Sequence, residues 1–511
     1  MTNIKIKKLI SRLLSRNAAF IITLLLQIGF VFLSVASLGE KYYIVYLLLI
    51  GLDIILAIFI TNKNEPTSYK LTWLIMISIF PLFGGISYIF IKLSKQQPKL
   101  ADSQYREKAR QLLIQDTETA ELLKEKYPDS INLSRYVTKF GLYPFYYNSE
   151  AEYFSLGEIQ FQAMKEELEK AEKFIFLEFF IITKGLMFDE LSEILIRKAK
   201  EGIDVRLMYD GIGTGMLNSK KIFDKLKENG VKCKEFNPFR PMLSSIQNNR
   251  DHRKIVVIDG KTAFSGGINI ADEYINHIQR FGHWKDTGIM IRGQAVRNYT
   301  IMFLALWEPL GTPERYELFF PEIPPMTKDD GFVQPFSDSP LDDEPVGKSV
   351  YLELINNARE YVCITTPYLI LDEEMTNALR FAAKKGVKIQ IIVPHIPDKW
   401  YVYMIAWNNY PALLEMGVEV YEYTPGFIHA KSLVADGKTA VVGTVNFDYR
   451  SFYLHFESAS VFYNCSVIEK IKVDFDETLK MSQLITLNDC EARPFHMKAA
   501  GSILNMFAPL L

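Results

Sequence analysis

Two stretches of this chain carry residues whose types and spacing can do chemistry: Asp251–Asn269, DHRKIVVIDGKTAFSGGIN, and Ile428–Asn446, IHAKSLVADGKTAVVGTVN. They align without a gap. His252, Lys254, Asp259, Gly266 and Asn269 fall opposite His429, Lys431, Asp436, Gly443 and Asn446. In each copy His-x-Lys opens a β-rich run, so a period of two puts imidazole and ammonium on one face. Asp-Gly then marks a hairpin turn whose return strand brings Gly266-Gly267 or Gly443-Thr444, and the asparagine beyond, back beside the histidine. Imidazole, ammonium and carboxamide together suit a phosphodiester. The nitrogen can attack phosphorus while the others neutralise oxygens whose charge grows in the transition state. One nucleophile and one general acid need two histidines. Two of the seven histidines in the chain occupy equivalent positions of the repeat, which a pair of unrelated core histidines would not do. Which of them attacks is open at this level.

The motif members His252, Lys254, Asp259, His429, Lys431 and Asp436 form the expected catalytic set. Asp259 and Asp436 sit in the turns, where they are expected to hold the hairpins rather than touch substrate. Asn269, Asn446, Gly267 and Thr444 are expected to bind substrate phosphate, since small residues let backbone N–H groups approach an anion. No Cys or His cluster has metal-ligand spacing, so the site is expected to work without metal or cofactor.

The repeated His-x-Lys-x4-Asp-x6-Gly-[Gly/Thr]-x-Asn resembles the double HKD motif of the phospholipase D superfamily. The wider pattern is similar to bacterial cardiolipin synthases: N-terminal apolar segments, Asn249-Arg250-Asp251 before the first motif and Arg450-Ser451-Phe452 after the second. Gly282-His283-Trp284-Lys285-Asp286 resembles the family's Trp-x-Asp element, and Thr366-Pro367-Tyr368 matches another. Where the family commonly has Asn, this chain has His455. The resemblance implies that His252 attacks one phosphatidylglycerol and that His429 serves as acid and base. It also implies that Glu457 and Asp286 hydrogen-bond the Nδ1 atoms of the catalytic histidines and fix their tautomers.

Around the motifs, strand–helix–strand rhythm implies an α/β fold with a parallel or mixed sheet covered by helices, and the resemblance implies two phospholipase D-like α/β sandwich halves related by internal duplication, behind an N-terminal transmembrane helical region. At 511 residues the chain exceeds one core. Residues 1–93 read as a membrane anchor with two or three hydrophobic segments, 18–38, 42–60 and 71–91, and 94–134 as a juxtamembrane linker. The first half covers 135–307, a proline-rich acidic connector 308–345, the second half 346–494, and an amphipathic tail 495–511. Pro81 and Gly84-Gly85 interrupt the third segment and would also fit a re-entrant hairpin. Glu178 and Asp210, near strand ends, are either site residues or fold-supporting carboxylates. The loop Phe236–Ile246 is expected to form a lip for acyl chains, and Trp400–Trp407 is too aromatic for an ordinary exposed helix.

A net charge of −2 argues against nucleic acid as partner and, with the apolar segments, for a multi-pass protein of the cell membrane, while phosphatidylglycerol as the substrate is what the resemblance implies. The four cysteines are scattered and form no framework. A phospholipase D hydrolase would use the same residues with water as acceptor. A superfamily nuclease would need a basic groove, and a lipid-binding relative would need no nucleophile.

Overall fold

The computed structural model describes residues 43–93, 109, 111–147, 149–214, 220–238, 245–310, 315–323, 330–342 and 344–510. The expected span Ala18–Leu38, most of the stretch 94–110 and the centre of the Phe236–Ile246 loop lie outside them. Contacts divide the chain into two compact units, one built on the N-terminal helices with the last C-terminal residues, the other on everything that carries the motifs.

In the N-terminal unit, α1 (Tyr43–Thr61) follows the expected second segment. The third, Leu71–Ile91, is not one helix but two, α2 (Thr67–Ile79) and α3 (Pro81–Leu93). Pro81 lacks the N–H that would continue α2, and Phe80 leaves helical geometry at φ −128° and ψ 71°. The two then fold against each other as a hairpin. Gly84 permits the approach: a Cβ there would lie 2.6 Å from the Met76 carbonyl oxygen. Trp73 and Tyr88 meet edge to face at 5.2 Å, and Leu56 and Ile60 of α1 complete the cluster. At about 20 Å each, 13-residue helices are shorter than a hydrocarbon core. Among the described residues no helix is long and apolar enough to cross a membrane.

The second unit contains the duplication. Its first half supplies β1 (Ser149–Phe154), α4 (Gly157–Glu169), β2 (Phe174–Phe179), α5 (Leu186–Lys200), β3 (Asp204–Asp210), β4 (Lys232–Phe236), β5 (Arg250–Asp251), β6 (Ile255–Ile258), β7 (Thr262–Gly266), β8 (His283–Lys285), β9 (Gly288–Gly293) and α6 (Val296–Trp307). The second half supplies β10 (Phe332–Asp338), α7 (Val346–Asn357), β11 (Tyr361–Thr365), α8 (Glu373–Lys384), β12 (Lys388–Pro394), α9 (Trp400–Glu415), β13 (Glu419–Tyr423), β14 (Gly426–Ile428), β15 (Ser432–Ala435), β16 (Thr439–Gly443), β17 (His455–Tyr463), α10 (Val467–Lys480), β18 (Ser482–Leu484), α11 (Leu487–Ala492) and α12 (Phe495–Asn505).

The sheet orders repeat. β1-β9-β7-β6-β2-β3-β4 in the first half matches β10-β17-β16-β15-β11-β12-β13 in the second, where β18 adds an edge. In both, the strand after His-x-Lys runs antiparallel to the first strand of a parallel trio. These strands are buried along their length, as sheets covered on both faces require. Phe176, Phe303 and Phe319 pack under the first sheet, and Tyr351, Phe447 and Phe452 under the second.

Two short pairings cross between the halves. β5 pairs in parallel with the start of β17, and β14 in parallel with β8. Each runs into a motif histidine.

Candidate active site

His252 follows β5 directly, and its N–H donates to the Phe456 carbonyl at 3.0 Å. His429 follows β14 and donates likewise to Lys285, at 2.7 Å. The next residue on each partner strand is an acid, so register alone brings a carboxylate to each imidazole. Glu457 of the second half meets Nδ1 of His252 at 3.0 Å, and Asp286 of the first half meets Nδ1 of His429 at 2.7 Å. The pairing is crossed between the halves. Both carboxylates are 0 % exposed. An Nδ1–H held on a carboxylate leaves Nε2 with a free lone pair, the arrangement that attack or proton transfer requires.

Lys254 and Lys431 lie two residues beyond, each donating to the carbonyl oxygen of its own motif histidine, Lys254 at 2.5 Å. Burial lowers the Lys254 ammonium to about 8 and the Lys431 ammonium to about 7. Burial, then the two lysines, holds both imidazoles well below the ordinary histidine range, so they are neutral in the empty site. Burial also pushes Asp286 up to about 6, against the pull of Lys431. Phe180 meets the His252 ring at 5.2 Å, while Trp284 and Tyr274 meet the His429 ring at 5.3 and 5.4 Å. These aromatic rings cover the imidazoles, which are 7 % and 6 % exposed.

A pH profile follows. Lys431 and then Lys254 lose their charge as pH rises through about 7 to 8, and Asp286 loses its charge as pH falls through about 6. The kcat/KM for an anionic phosphodiester should therefore peak near neutrality and fall on both sides. Lys431→Arg should move the alkaline limb upward, and a limb that stays in place would assign it to another group.

The other expected site residues divide. Asn269 lies in the site, accepting from the Ile181 N–H at 2.9 Å and donating to Tyr274 Oη at 2.7 Å, with one amide hydrogen left over. Asn446 is buried, its side-chain oxygen without a partner among the described residues. Gly267 and Thr444 require correction as phosphate donors, because their N–H groups are taken by the Thr287 and Ser458 carbonyls. Their role is to fit the carboxylates. A Cβ on Gly267 would lie 1.9 Å from Asp286 Oδ1, and Thr444 Oγ1 donates to Glu457.

Asp259 and Asp436 are outside the site altogether. Each begins the turn at the far end of its strand, roughly 20 Å of extended chain from its histidine. The Asp259 carboxylate accepts from the N–H groups of Glu172, Lys173 and Phe174, and Asp436 from those of Arg359, Glu360 and Tyr361. Both hold φ near 52°, which Asp tolerates better than most residues. Asp259→Ala should thus lower stability by about 3 kcal/mol in denaturant titration, while the folded fraction keeps its specific activity.

Glu178 is ion-paired to Arg253 at 2.6 Å inside the first half, and Asp210 caps the turn after β3 on the Ile212 and Gly213 N–H groups. Both support the fold. Sequence reasoning missed Tyr274, whose ring and hydroxyl join Asn269 to His429, and the Lys399–Asp398 ion pair at 2.7 Å, whose carboxylate raises the His429 imidazole more than the ammonium lowers it. Neither lies in a motif, and only the fold brings them in. His455, noted for its place after the second motif, stands 5.5 Å ring to ring from His252.

Two duplicated α/β halves, each giving one buried histidine and lysine and lending a carboxylate to the other half's histidine, define a phospholipase D-type protein. The chain belongs to the family described as cardiolipin synthase, PLD-like domain, whose profile matches residues 164–307 and 351–479. A second profile, phospholipase D-nuclease N-terminal, matches residues 51–92. The cardiolipin synthase of Geobacillus kaustophilus is 34% identical over 90% of this chain and 92% of its own length. An uncharacterised protein of Streptococcus mutans is 44% identical over 89% of this chain and 99% of its own. The crystal structure of phosphatidylserine synthase from Haemophilus influenzae shares the fold, with TM-score 0.58 and 13% identity over 74% of this chain and 97% of that one.

Proposed function

We propose that this chain is a cardiolipin synthase that transfers a phosphatidyl group from one phosphatidylglycerol to another. The observation that carries the reading is the pair of buried, neutral imidazoles, each with Nδ1 on a carboxylate and a lysine beside it. In the first step Nε2 of His252 attacks phosphorus and the bond to the glycerol headgroup breaks. His429, as imidazolium, gives that oxygen its proton. The negative charge of the bound phosphodiester offsets the lysines that disfavour imidazolium in the empty site. In the second step the terminal hydroxyl of another phosphatidylglycerol, losing its proton to His429, displaces His252 and forms cardiolipin. The histidine and the proton inventory are restored. Lys254, Lys431 and the amides of Asn269 and Asn446 stabilise the charged oxygens.

The N-terminal part, residues 1–93, serves as the membrane anchor. The charge-free run Ala18–Leu38 has the length in sequence that a span requires, and α1 with the α2–α3 hairpin supplies an apolar cluster in contact with lipid. The expected limits of the linker, the two halves and the connector, 94–134, 135–307, 346–494 and 308–345, are retained as the domain plan.

The test is incubation of the purified, detergent-solubilised chain with phosphatidylglycerol as the only phospholipid, followed by mass spectrometry. Cardiolipin with free glycerol is the expected result. Phosphatidic acid with glycerol would make the protein a hydrolase, and absence of turnover in folded protein would overturn the reading.

A further inference from the structure

β17 opens with His455 and carries Glu457 two residues on, so both side chains leave the same face of the strand. β5 lies alongside and delivers His252 to that face, from 205 residues before Glu457 in the chain. Spacing in the sequence cannot show such a group. In space, one nitrogen of each imidazole and one oxygen of Glu457 all lie within 4.8 Å of one another. Glu457 stands 3.0 Å from Nδ1 of His252 and 3.7 Å from Nδ1 of His455. His455 is only 8% exposed, yet its Nδ1 has no hydrogen-bond partner among the described residues. A buried polar atom left in this state is costly, and a ligand that engages it removes the cost.

We infer that His252, His455 and Glu457 form a zinc site that switches the nucleophile off. Two imidazoles and a carboxylate suit zinc rather than magnesium or calcium, which take oxygen ligands. Tetrahedral zinc holds its ligand atoms roughly 3.3 Å apart, so the observed 3.0 and 3.7 Å need only small shifts. The contact of Arg450 with Nε2 of His455, long at 3.4 Å, is the one that must yield. Cations face the cluster, but carboxylates act on each of them: Asp251 and Asp286 on Lys254, Asp286 on Lys431, Asp448 on Arg450, and Asp398 on Lys399. Glu457 is therefore not left to offset them alone. Zinc on Nδ1 of His252 takes that nitrogen's electron pair. The single ring proton then moves from Nδ1 to Nε2 through water, and no pair is left to attack phosphorus. The inhibition rests on the function proposed above, whereas the binding does not.

The experiment titrates the purified, detergent-solubilised full chain with zinc in competition with a chromophoric chelator. The wild type should bind a zinc ion about 100-fold more tightly than His455→Asn, since even partners outside the ligand shell are worth about 10- to 100-fold in metal affinity. X-ray absorption by the zinc-loaded wild type should show two imidazoles, oxygen and no sulfur, which separates this site from the four cysteines. Zinc should also inhibit turnover of phosphatidylglycerol, each protein being compared with its own zinc-free rate. The half-inhibiting concentration should rise in His455→Asn by the same factor as the Kd. Equal zinc affinity in the two proteins, sulfur in the ligand shell, or full turnover with zinc bound would overturn the inference. Chelator competition and X-ray absorption need no turnover, so their outcome is separate from that of the lipid product assay.

Discussion

His252→Ala should reduce cardiolipin formation by roughly 10⁴-fold or more, because it removes the imidazole assigned to attack phosphorus, whose tautomer Glu457 fixes. His429→Ala should cost about 10²- to 10⁴-fold, the range of a lost general acid and base. The two losses differ in kind. His252→Ala leaves no covalent species to detect. His429→Ala retains the attacking imidazole, so a slowly formed phosphatidyl adduct should be visible by intact-protein mass spectrometry. An adduct on His429 in the His252→Ala protein would reverse the assignment of the two steps, which the near-symmetry of the site makes a real alternative. Full activity in either variant would rule out the two-histidine mechanism. Binding of phosphatidylglycerol should survive in both, since Lys254, Lys431, Asn269 and Asn446 remain.

The fold and the nucleophiles were open to sequence reasoning because the duplication is written into local spacing. His-x-Lys followed by a β run and Asp-Gly specifies a strand and a hairpin wherever it occurs, and both copies form them at the expected residues. What sequence could not supply depends on register between distant strands. Glu457 and Asp286 are recognisable as histidine partners by resemblance, but that each serves the opposite half follows from β5 lying on β17 and β14 on β8. Gly267 and Thr444 look like phosphate donors until their N–H groups are found in the ladder. The start of α4 at Gly157 is hard to read from the sequence, because Gln160 is a buried polar residue that gives its amide to the Ser265 carbonyl and so hides the apolar pattern. Over Leu71–Ile91, by contrast, the hairpin alternative was legible, since Pro81 and Gly84-Gly85 mark where the apolar segment folds back on itself.

The crossed carboxylates give the second large effect. Glu457→Gln and Asp286→Asn keep size and shape but replace a charge that holds the Nδ1–H tautomer and favours imidazolium. Each should lower kcat by about 10³- to 10⁴-fold with little change in KM. The crossing makes the two variants fail at different places. Glu457 serves His252, so Glu457→Gln should slow formation of the phosphatidyl adduct and add little to His252→Ala. Asp286 serves His429, so Asp286→Asn should slow proton transfer to and from the glycerol oxygens and add little to His429→Ala. The opposite combinations, Glu457→Gln with His429→Ala and Asp286→Asn with His252→Ala, should show no such sharing. If coupling instead followed the order of the chain, Glu457 with His429 and Asp286 with His252, the contacts at 3.0 and 2.7 Å would not be those that operate during turnover. The crossing also implies that neither half should work alone. Each contributes a histidine whose tautomer only the other can fix, so the duplicated halves form one site, and loss of either strand pairing should silence both steps together.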